Sequence, residues 1–206
     1  MEFIKPRTVE AVIVVLFEIG FVWLAVQARN ADDALRMNVA IGSFFVSLIS
    51  YAAERLLRIS FPFGIKFMIP FALFMHAGGG IMDWYWSPIF PLYDKVAHFV
   101  SGLAVGLVMF AFFLVLDAYG IRFKPTTVLI GIFLLVAFLG GIWKIGEVYM
   151  DITHNSMFDE GLPDLIGDDI CHTIGSIAAI VVSWRYFLTI PKGKGISYLL
   201  RKNKPG

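Results

Sequence analysis

The sequence predicts an all-α integral membrane protein, a bundle of six transmembrane helices with both termini in the cytoplasm. Composition is the first observation, because 58% of the 206 residues are hydrophobic and only 16% are charged. The mean hydropathy of +0.77 is far above that of ordinary soluble domains, which excludes a soluble globular fold. The second observation is a set of long apolar runs, and the third is the uneven placement of charges between them.

Six predominantly apolar segments are long enough to cross a bilayer, which takes roughly 20 residues in a helix. We number them 1 to 6, and they cover 9–27, 38–57, 65–84, 96–116, 126–149 and 168–189. Segment 1 carries Glu18 at its centre and is not followed by a small-residue cleavage pattern, so we expect it to remain in the mature protein. The resulting prediction is one transmembrane domain over residues 1–190 and a basic cytoplasmic tail over 191–206.

The charges between the segments predict the orientation. Thirteen of the 17 Lys and Arg residues lie on the side that holds the N-terminus, the 55–66 loop, the 117–125 loop and the tail. The positive-inside rule assigns that side to the cytoplasm. The acids show the opposite bias, since 11 of 16 lie on or near the other side: Asp32, Asp33, Asp83, Asp94, Glu147, Asp151, Asp159, Glu160, Asp164, Asp168 and Asp169. The sequence therefore predicts an acidic outer mouth.

Ionisable side chains concentrate where segments 4, 5 and 6 meet this outer side. Segment 4 opens with YDKVAHF, segment 5 ends with GIWKIGEVYMD, and segment 6 begins with LPDLIGDDICH. In each stretch the acids and imidazoles are spaced by three or four residues, which places them on one face of a helix. The candidate site consists of Asp94, His98, Glu147, Asp151, Asp164, Asp168 and His172. Charged groups within a span cost several kcal/mol each, so they usually face the bundle interior and often have a function.

Small residues near this stretch favour close packing of the helices that carry it. Gly175 and Ala179 continue the stripe of segment 6, and Gly102 and Gly106 are spaced as GxxxG in segment 4. Such pairs let helix backbones approach closely within a membrane. We therefore expect segment 6 to lie directly against a neighbouring helix.

A divalent metal is one interpretation of the candidate site. Mixed imidazole and carboxylate ligands suit Zn, Mn or Fe, and the single cysteine, Cys171, excludes a thiolate cage or an internal disulfide. The predicted ligands are His98, Glu147, Asp168 and His172. The predicted catalytic carboxylates are Asp94, Glu147, Asp151 and Asp164, acting as general acids or bases or orienting an imidazole.

The motifs resemble those of the YjdF-like and VanZ-like families of small multi-helix membrane proteins. The residues that carry the resemblance are Asp94, Lys95, His98, Phe99, Glu147, Asp164, Asp168 and Gly175. His172 departs from the pattern, because the families usually have Asn there. The resemblance implies a multi-pass protein of the plasma membrane of a bacterium or archaeon. It implies no agreed chemistry, because the YjdF-like group is largely uncharacterised.

Three functional interpretations follow from the residues. The leading one is a metal-dependent or acid-base enzyme that acts on a lipid or cell-envelope substrate. The second is a small transporter or proton-coupled carrier, in which Glu18, His76 and Asp83 relay protons because Glu18 and His76 lie at similar depth. The third is a structural polar network with Lys95 and Lys144 as counter-charges. The sequence contains no nucleotide-binding fingerprint, so neither a nucleotide cofactor nor a nucleic-acid partner is expected, and the oligomeric state is left open.

Overall fold

A computed structural model describes residues 6–154 and 161–202 of the chain. Within these ranges it contains seven α-helices, two short 3-10 helices and one pair of two-residue strands. The chain divides into two compact units, Met1–Ala97 with Tyr198–Gly206, and His98–Ser197. We call these unit 1 and unit 2.

Five helical stretches are long and apolar enough to cross a membrane: Thr8–Asn30, Ala34–Leu57, Tyr93–Ala118, Pro125–Thr153 and Leu162–Phe187. A sixth apolar helix, Ile65–Ile81, is shorter at 17 residues. Each of the six predicted segments therefore corresponds to helical structure, and the prediction of an all-helical polytopic membrane protein is confirmed in that form. The cytoplasmic location of the termini stays a prediction.

Unit 1 contains the helices α1 (Pro6–Asn30), α2 (Ala34–Ser47), α3 (Ile49–Leu57) and α4 (Ile65–Ile81). Its core joins three of them, because Phe21 and Leu24 of α1 pack with Ala40 of α2 and Ala77 of α4. The buried positions of α1 recur at intervals of three, four and seven residues, as expected for the inner face of a helix.

Segment 2 is interrupted in the structure. The sequence predicts one helix over 38–57, whereas α2 ends at Ser47 and α3 begins at Ile49, with Leu48 between them. The Ser47 hydroxyl donates a hydrogen bond to the carbonyl oxygen of Phe44 at 2.6 Å. Back-bonding of a serine to the preceding turn competes with the helical ladder and bends helices, which gives the physical reason for a break here.

The end of α4 corrects the predicted position of Asp83. The helix stops at Ile81 rather than at residue 84, and Asp83 adopts a left-handed conformation with φ of 54° before a 3-10 helix at Trp84–Trp86. The sequence predicted that Asp83 shares a helix face with His76. This prediction is wrong, because Asp83 lies beyond the end of the helix. Its carboxylate instead forms an exposed ion pair with Arg36 at 3.3 Å.

Residues 191–202, within the predicted tail, include regular secondary structure. The strands β1 (Ile59–Ser60) and β2 (Arg201–Lys202) pair antiparallel in unit 1, with Ile59 opposite Lys202. A second 3-10 helix spans Ile196–Leu199, and Ile196 and Leu200 are buried. The described part of the C-terminal segment thus contains regular structure and buried side chains.

Unit 2 is built from α5 (Tyr93–Ala118), whose first turn belongs to unit 1, with α6 (Pro125–His154) and α7 (Leu162–Phe187). These helices extend past the apolar segments, since α6 continues five residues beyond 149 and α7 begins six residues before 168. Pro163 lies in the first turn of α7, where proline is favoured because its missing N–H has no helical partner. Asp151 and Asp164 are therefore helical. Asp159 and Glu160, predicted for the acidic mouth, lie outside the described residues.

Candidate functional site

Two glycines set the contact between α5 and α7. A Cβ atom added to Gly102 would lie 2.0 Å from the backbone oxygen of His172, and one added to Gly175 would lie 2.1 Å from that of Phe99. One turn further, a Cβ on Gly106 would lie 2.4 Å from the Cβ of Ala179. Only hydrogen fits between backbones this close. The predicted close approach through small residues is confirmed.

This contact brings His98 and Asp168 together. Each lies one helical turn before the point of closest approach, His98 before Gly102 and Asp168 before His172. The His98 Nε2 atom lies 3.3 Å from Asp168 Oδ2. Both residues are buried, with 6% of His98 and 1% of Asp168 exposed, so their interaction is little screened by solvent.

Lys144 of α6 is the centre of the cluster. Its Nζ atom donates a hydrogen bond to Asp168 Oδ2 at 2.7 Å and forms an ion pair with Glu147 Oε2, also at 2.7 Å. His98 and Lys144 thus share one carboxylate oxygen. The sequence indicated Lys144 only as a counter-charge, because spacing along α6 shows its proximity to Glu147 but not to a carboxylate on α7.

Glu147 links the cluster to the surface of α6. The indole Nε1–H of Trp143 donates a hydrogen bond to Glu147 Oε1 at 2.7 Å. The Trp143 residue is 58% exposed, whereas the Glu147 side chain is 13% exposed. Glu147 is therefore in contact with an exposed aromatic side chain as well as with Lys144. We call His98, Lys144, Glu147 and Asp168 the charged cluster.

His172 lies beside the charged cluster rather than in it. Its Nε2 atom is buried and has no hydrogen-bond partner within the described part of the chain. The ring lies over Gly140, where an added Cβ would be 3.3 Å from Nε2. The structure thus brings together three of the four predicted metal ligands, His98, Asp168 and Glu147. His98 and Asp168 contact each other directly, whereas Glu147 is linked to Asp168 through the ammonium of Lys144.

The predicted catalytic carboxylates have different surroundings. Asp94 lies one turn before His98 on α5, with ligand atoms of the two residues within 4.8 Å, and it forms an ion pair with Lys95 at 2.8 Å. Asp151 and Asp164 are half-buried and make polar contacts of their own. Glu147 belongs to the charged cluster.

The predicted relay residues have partners within unit 1. Glu18 accepts a hydrogen bond from the Ser47 hydroxyl, and His76 Nδ1 hydrogen-bonds the Tyr85 hydroxyl at 2.7 Å. Proton transfer between Glu18 and His76 stays a prediction.

The sequence analysis missed a buried ionic group in unit 1. Lys66 Nζ lies 3.2 Å from Glu10 Oε2 and 3.1 Å from Glu54 Oε2, and its ammonium lies 4.8 Å from the centre of the Tyr51 ring. Glu10 is only 1% exposed. The sequence could have indicated the burial of Glu10, because Glu10 lies four residues before Val14 on α1, and positions i and i+4 share a helix face.

Comparisons with known proteins place the chain among membrane proteins. No curated protein and no solved structure matches the chain. One family model, described as predicted membrane protein (DUF2238), matches residues 9–189, a range that includes α1 to α7 apart from the first residues of α1. The chain therefore belongs to the DUF2238 family of membrane proteins.

Proposed function

We propose that the charged cluster is the acid-base site of a membrane enzyme that acts on a lipid or cell-envelope substrate. The observation that carries this proposal is the shared oxygen, since His98 Nε2 and Lys144 Nζ both contact the buried Asp168 Oδ2. A carboxylate that contacts an imidazole orients the ring and stabilises its charged form when it takes up a proton. His98 is the residue that would gain and lose the proton.

The charge balance of the cluster suits this role. With a neutral His98, the negative charges of Asp168 and Glu147 exceed the single positive charge of Lys144 by one. One proton on His98 brings the total to zero. Since net charge is costly in a buried site, a cluster that alternates between −1 and 0 can exchange one proton without ever carrying a larger charge.

The surroundings of Glu147 favour a substrate that arrives from the lipid. The outward face of α6 near Glu147 is apolar, with Ile145 72% and Trp143 58% exposed. A side chain that covers an acidic group and also faces hydrocarbon is suited to meet an amphiphile whose polar part reaches inward. Displacement of the Trp143 indole would open Glu147 and Lys144 to the polar group of such a molecule.

A divalent metal fits the observed geometry less well than the lysine does. The ammonium of Lys144 lies between Asp168 and Glu147, two of the predicted ligands, at 2.7 Å from each. A Zn, Mn or Fe ion bound by both would have to displace that ammonium. If a metal binds, His98 and Asp168 would hold it, with Asp94 one turn away, and it would supply a Lewis acid.

The resemblance to the YjdF-like and VanZ-like families supports a functional cluster. The residues that carry the resemblance include His98, Glu147 and Asp168, three of the four members of the charged cluster. Its fourth member, Lys144, was not part of the resemblance.

A proton-coupled carrier is the second candidate, and it is favoured by the burial of a separate ionic group around Lys66 in unit 1, because ionisable groups in membrane spans often mark ion pathways.

One set of variants separates these possibilities. Purified protein is reconstituted into vesicles made from a total bacterial membrane lipid extract, and lipid species are followed by mass spectrometry over time. The acid-base proposal predicts turnover of a lipid by the wild type and its loss in His98→Gln, because the amide keeps a donor toward Asp168 but cannot titrate. His76→Gln, a histidine variant in unit 1, is the matched control and should retain turnover. Size-exclusion chromatography checks that each variant is folded.

The other outcomes decide for the alternatives. Equal lipid turnover in wild type and His98→Gln contradicts the acid-base proposal. About one equivalent of metal in the wild type by elemental mass spectrometry, lost in the His98→Ala/His172→Ala double variant, supports a metal centre instead. Proton flux measured with a pH-sensitive dye, lost in Glu18→Gln or His76→Ala while His98→Gln is unaffected, supports the carrier.

A further inference from the structure

A basic cavity lies at the opposite end of unit 2 from the charged cluster. Its volume is about 460 Å³, and it is formed where α5 ends, α6 begins and α7 ends. Its lining includes Asp117, Arg122, Phe187, Lys192, Lys194 and Gly195. His98 and Asp117 are 19 residues apart on α5, which corresponds to about 28 Å along the helix, so the cavity and the charged cluster are separate sites.

The side chains around the cavity are predominantly cationic. Three of the charged lining residues are basic, namely Arg122, Lys192 and Lys194, and one is acidic, Asp117. The formal charge of the lining is therefore +2. Three cations near one opening attract an anion and raise its local concentration.

Asp117 connects two of the chain segments that form the cavity. It is 3% exposed, and its Oδ2 accepts a hydrogen bond from the backbone N–H of Ser197 at 2.9 Å. Its Oδ1 lies 4.0 Å from Arg122 Nε. The buried carboxylate thus holds the segment after α7 close to the end of α5, and the Arg122 side chain beside it is 74% exposed, so it can reach a ligand in the cavity.

The two lysines are presented by a tight turn. The N–H of Lys194 donates a hydrogen bond to the carbonyl oxygen of Pro191 at 3.1 Å, and Gly193 has φ of 81°. Pro191 is the first residue of this four-residue turn and Gly193 is its third, where a type II turn requires a positive φ. Gly195 then passes so close to Asp117 that an added Cβ would lie 2.7 Å from Oδ2. The residue that directly follows the turn is therefore closely packed against Asp117.

We propose that this cavity binds the phosphate of an anionic phospholipid. Arg122 and the turn lysines would contact the phosphate, since guanidinium and ammonium groups bind phosphate through charge-assisted hydrogen bonds. Exposed apolar side chains lie nearby at the helix ends, including Ile121 at 52% and Leu188 at 61%, and they provide surface for acyl chains. Basic pockets between transmembrane helices are typical lipid head-group sites, and the positive-inside rule predicts this one on the cytoplasmic side.

Native mass spectrometry of the full-length protein in detergent tests the proposal. The protein is titrated with phosphatidylglycerol and, separately, with phosphatidylcholine of the same acyl chains. We expect one molecule of phosphatidylglycerol to bind in preference to phosphatidylcholine. Arg122→Gln and the Lys192→Gln/Lys194→Gln pair should weaken this binding by about fivefold for each charge removed, since each cation near a lipid surface contributes about 1 kcal/mol.

The matched control is Lys124→Gln. Lys124 carries the same charge and lies between the lining residues Phe123 and Pro125, but it does not line the cavity. Its substitution should leave binding unchanged. An equal loss in Lys124→Gln, or equal binding of the two lipids by the wild type, would overturn the proposal. Glycerol 3-phosphate or inorganic phosphate that displaces the lipid at equal concentration would identify a free phosphate compound as the ligand and would also overturn it.

Discussion

Replacing Gly102 by alanine tests whether the close approach of α5 and α7 builds the charged cluster. The new Cβ would lie 2.0 Å from the backbone oxygen of His172, whereas ordinary van der Waals contact begins at 3.4 Å. The helices must therefore separate by roughly 1.4 Å at this level, the difference between the two distances. His98 lies one turn away, so its 3.3 Å contact with Asp168 would lengthen beyond hydrogen-bond range.

The expected cost is roughly 2.5–6 kcal/mol in the free energy of unfolding. About 1–3 kcal/mol comes from overpacking a tight contact, and about 1.5–3 kcal/mol from losing a hydrogen bond to a charged group. Gly146→Ala is the control, because Gly146 also lies in a helix but an added Cβ there meets no atom within 4 Å. Both variants remove a helical glycine, so the change in backbone entropy is shared.

The assay is unfolding of micelle-bound protein by increasing sodium dodecyl sulfate, followed by far-UV circular dichroism. The nuclear magnetic resonance signal of the His98 imidazole reports the cluster directly and should shift in Gly102→Ala but not in Gly146→Ala. If Gly102→Ala is as stable as Gly146→Ala and leaves the His98 signal unchanged, the glycine contact does not position the cluster.

Three further predictions concern other parts of the protein. Lys66→Met should destabilise unit 1 by about 3–5 kcal/mol, because Glu10 and Glu54 lose their shared buried cation. Additional neutralisation of both acids should restore much of the stability in the same detergent titration. No loss of stability in Lys66→Met would contradict a structural ionic group. Gly195→Ala should lower the apparent melting temperature, since its Cβ would lie 2.7 Å from the Asp117 carboxylate, and an unchanged melting curve would show that the loop is free to move. Reporter fusions to each terminus should show both in the cytoplasm, and activity of an exported reporter at either end would overturn the predicted topology.

The sequence was sufficient for the features that depend on one helix at a time. Long apolar runs identified the membrane helices, and the small residues Gly102 and Gly175 indicated where helices would meet at close range. It was less informative about the ends of helices, because hydropathy detects the apolar part of a helix and not its charged turns. Asp83 was misplaced for a related reason, since only the backbone shows that the chain leaves the helix after Ile81.

The membership of the charged cluster could not be obtained from spacing. Asp168 and His172 lie four residues apart on one stripe of α7, but a stripe does not say which neighbour each residue faces. The backbone of His172 lies at the closest approach of α5, and its ring lies over Gly140 of α6. The contact between Lys144 and Asp168 likewise depends on how α6 and α7 pack against each other. It cannot be obtained from the sequence of either helix alone.

The antiparallel pair of β1 and β2 has a consequence for the biosynthesis of the protein. Ile59 and Ser60 emerge from the ribosome before α4, whereas their partners Arg201 and Lys202 emerge after α7 has been synthesised. The strand pair of unit 1 can therefore form only after residues 201 and 202 have been synthesised, and β1 has no partner strand during the insertion of α4 to α7. A chain truncated before residue 201 would contain α1 to α7 and would still leave β1 without its partner strand.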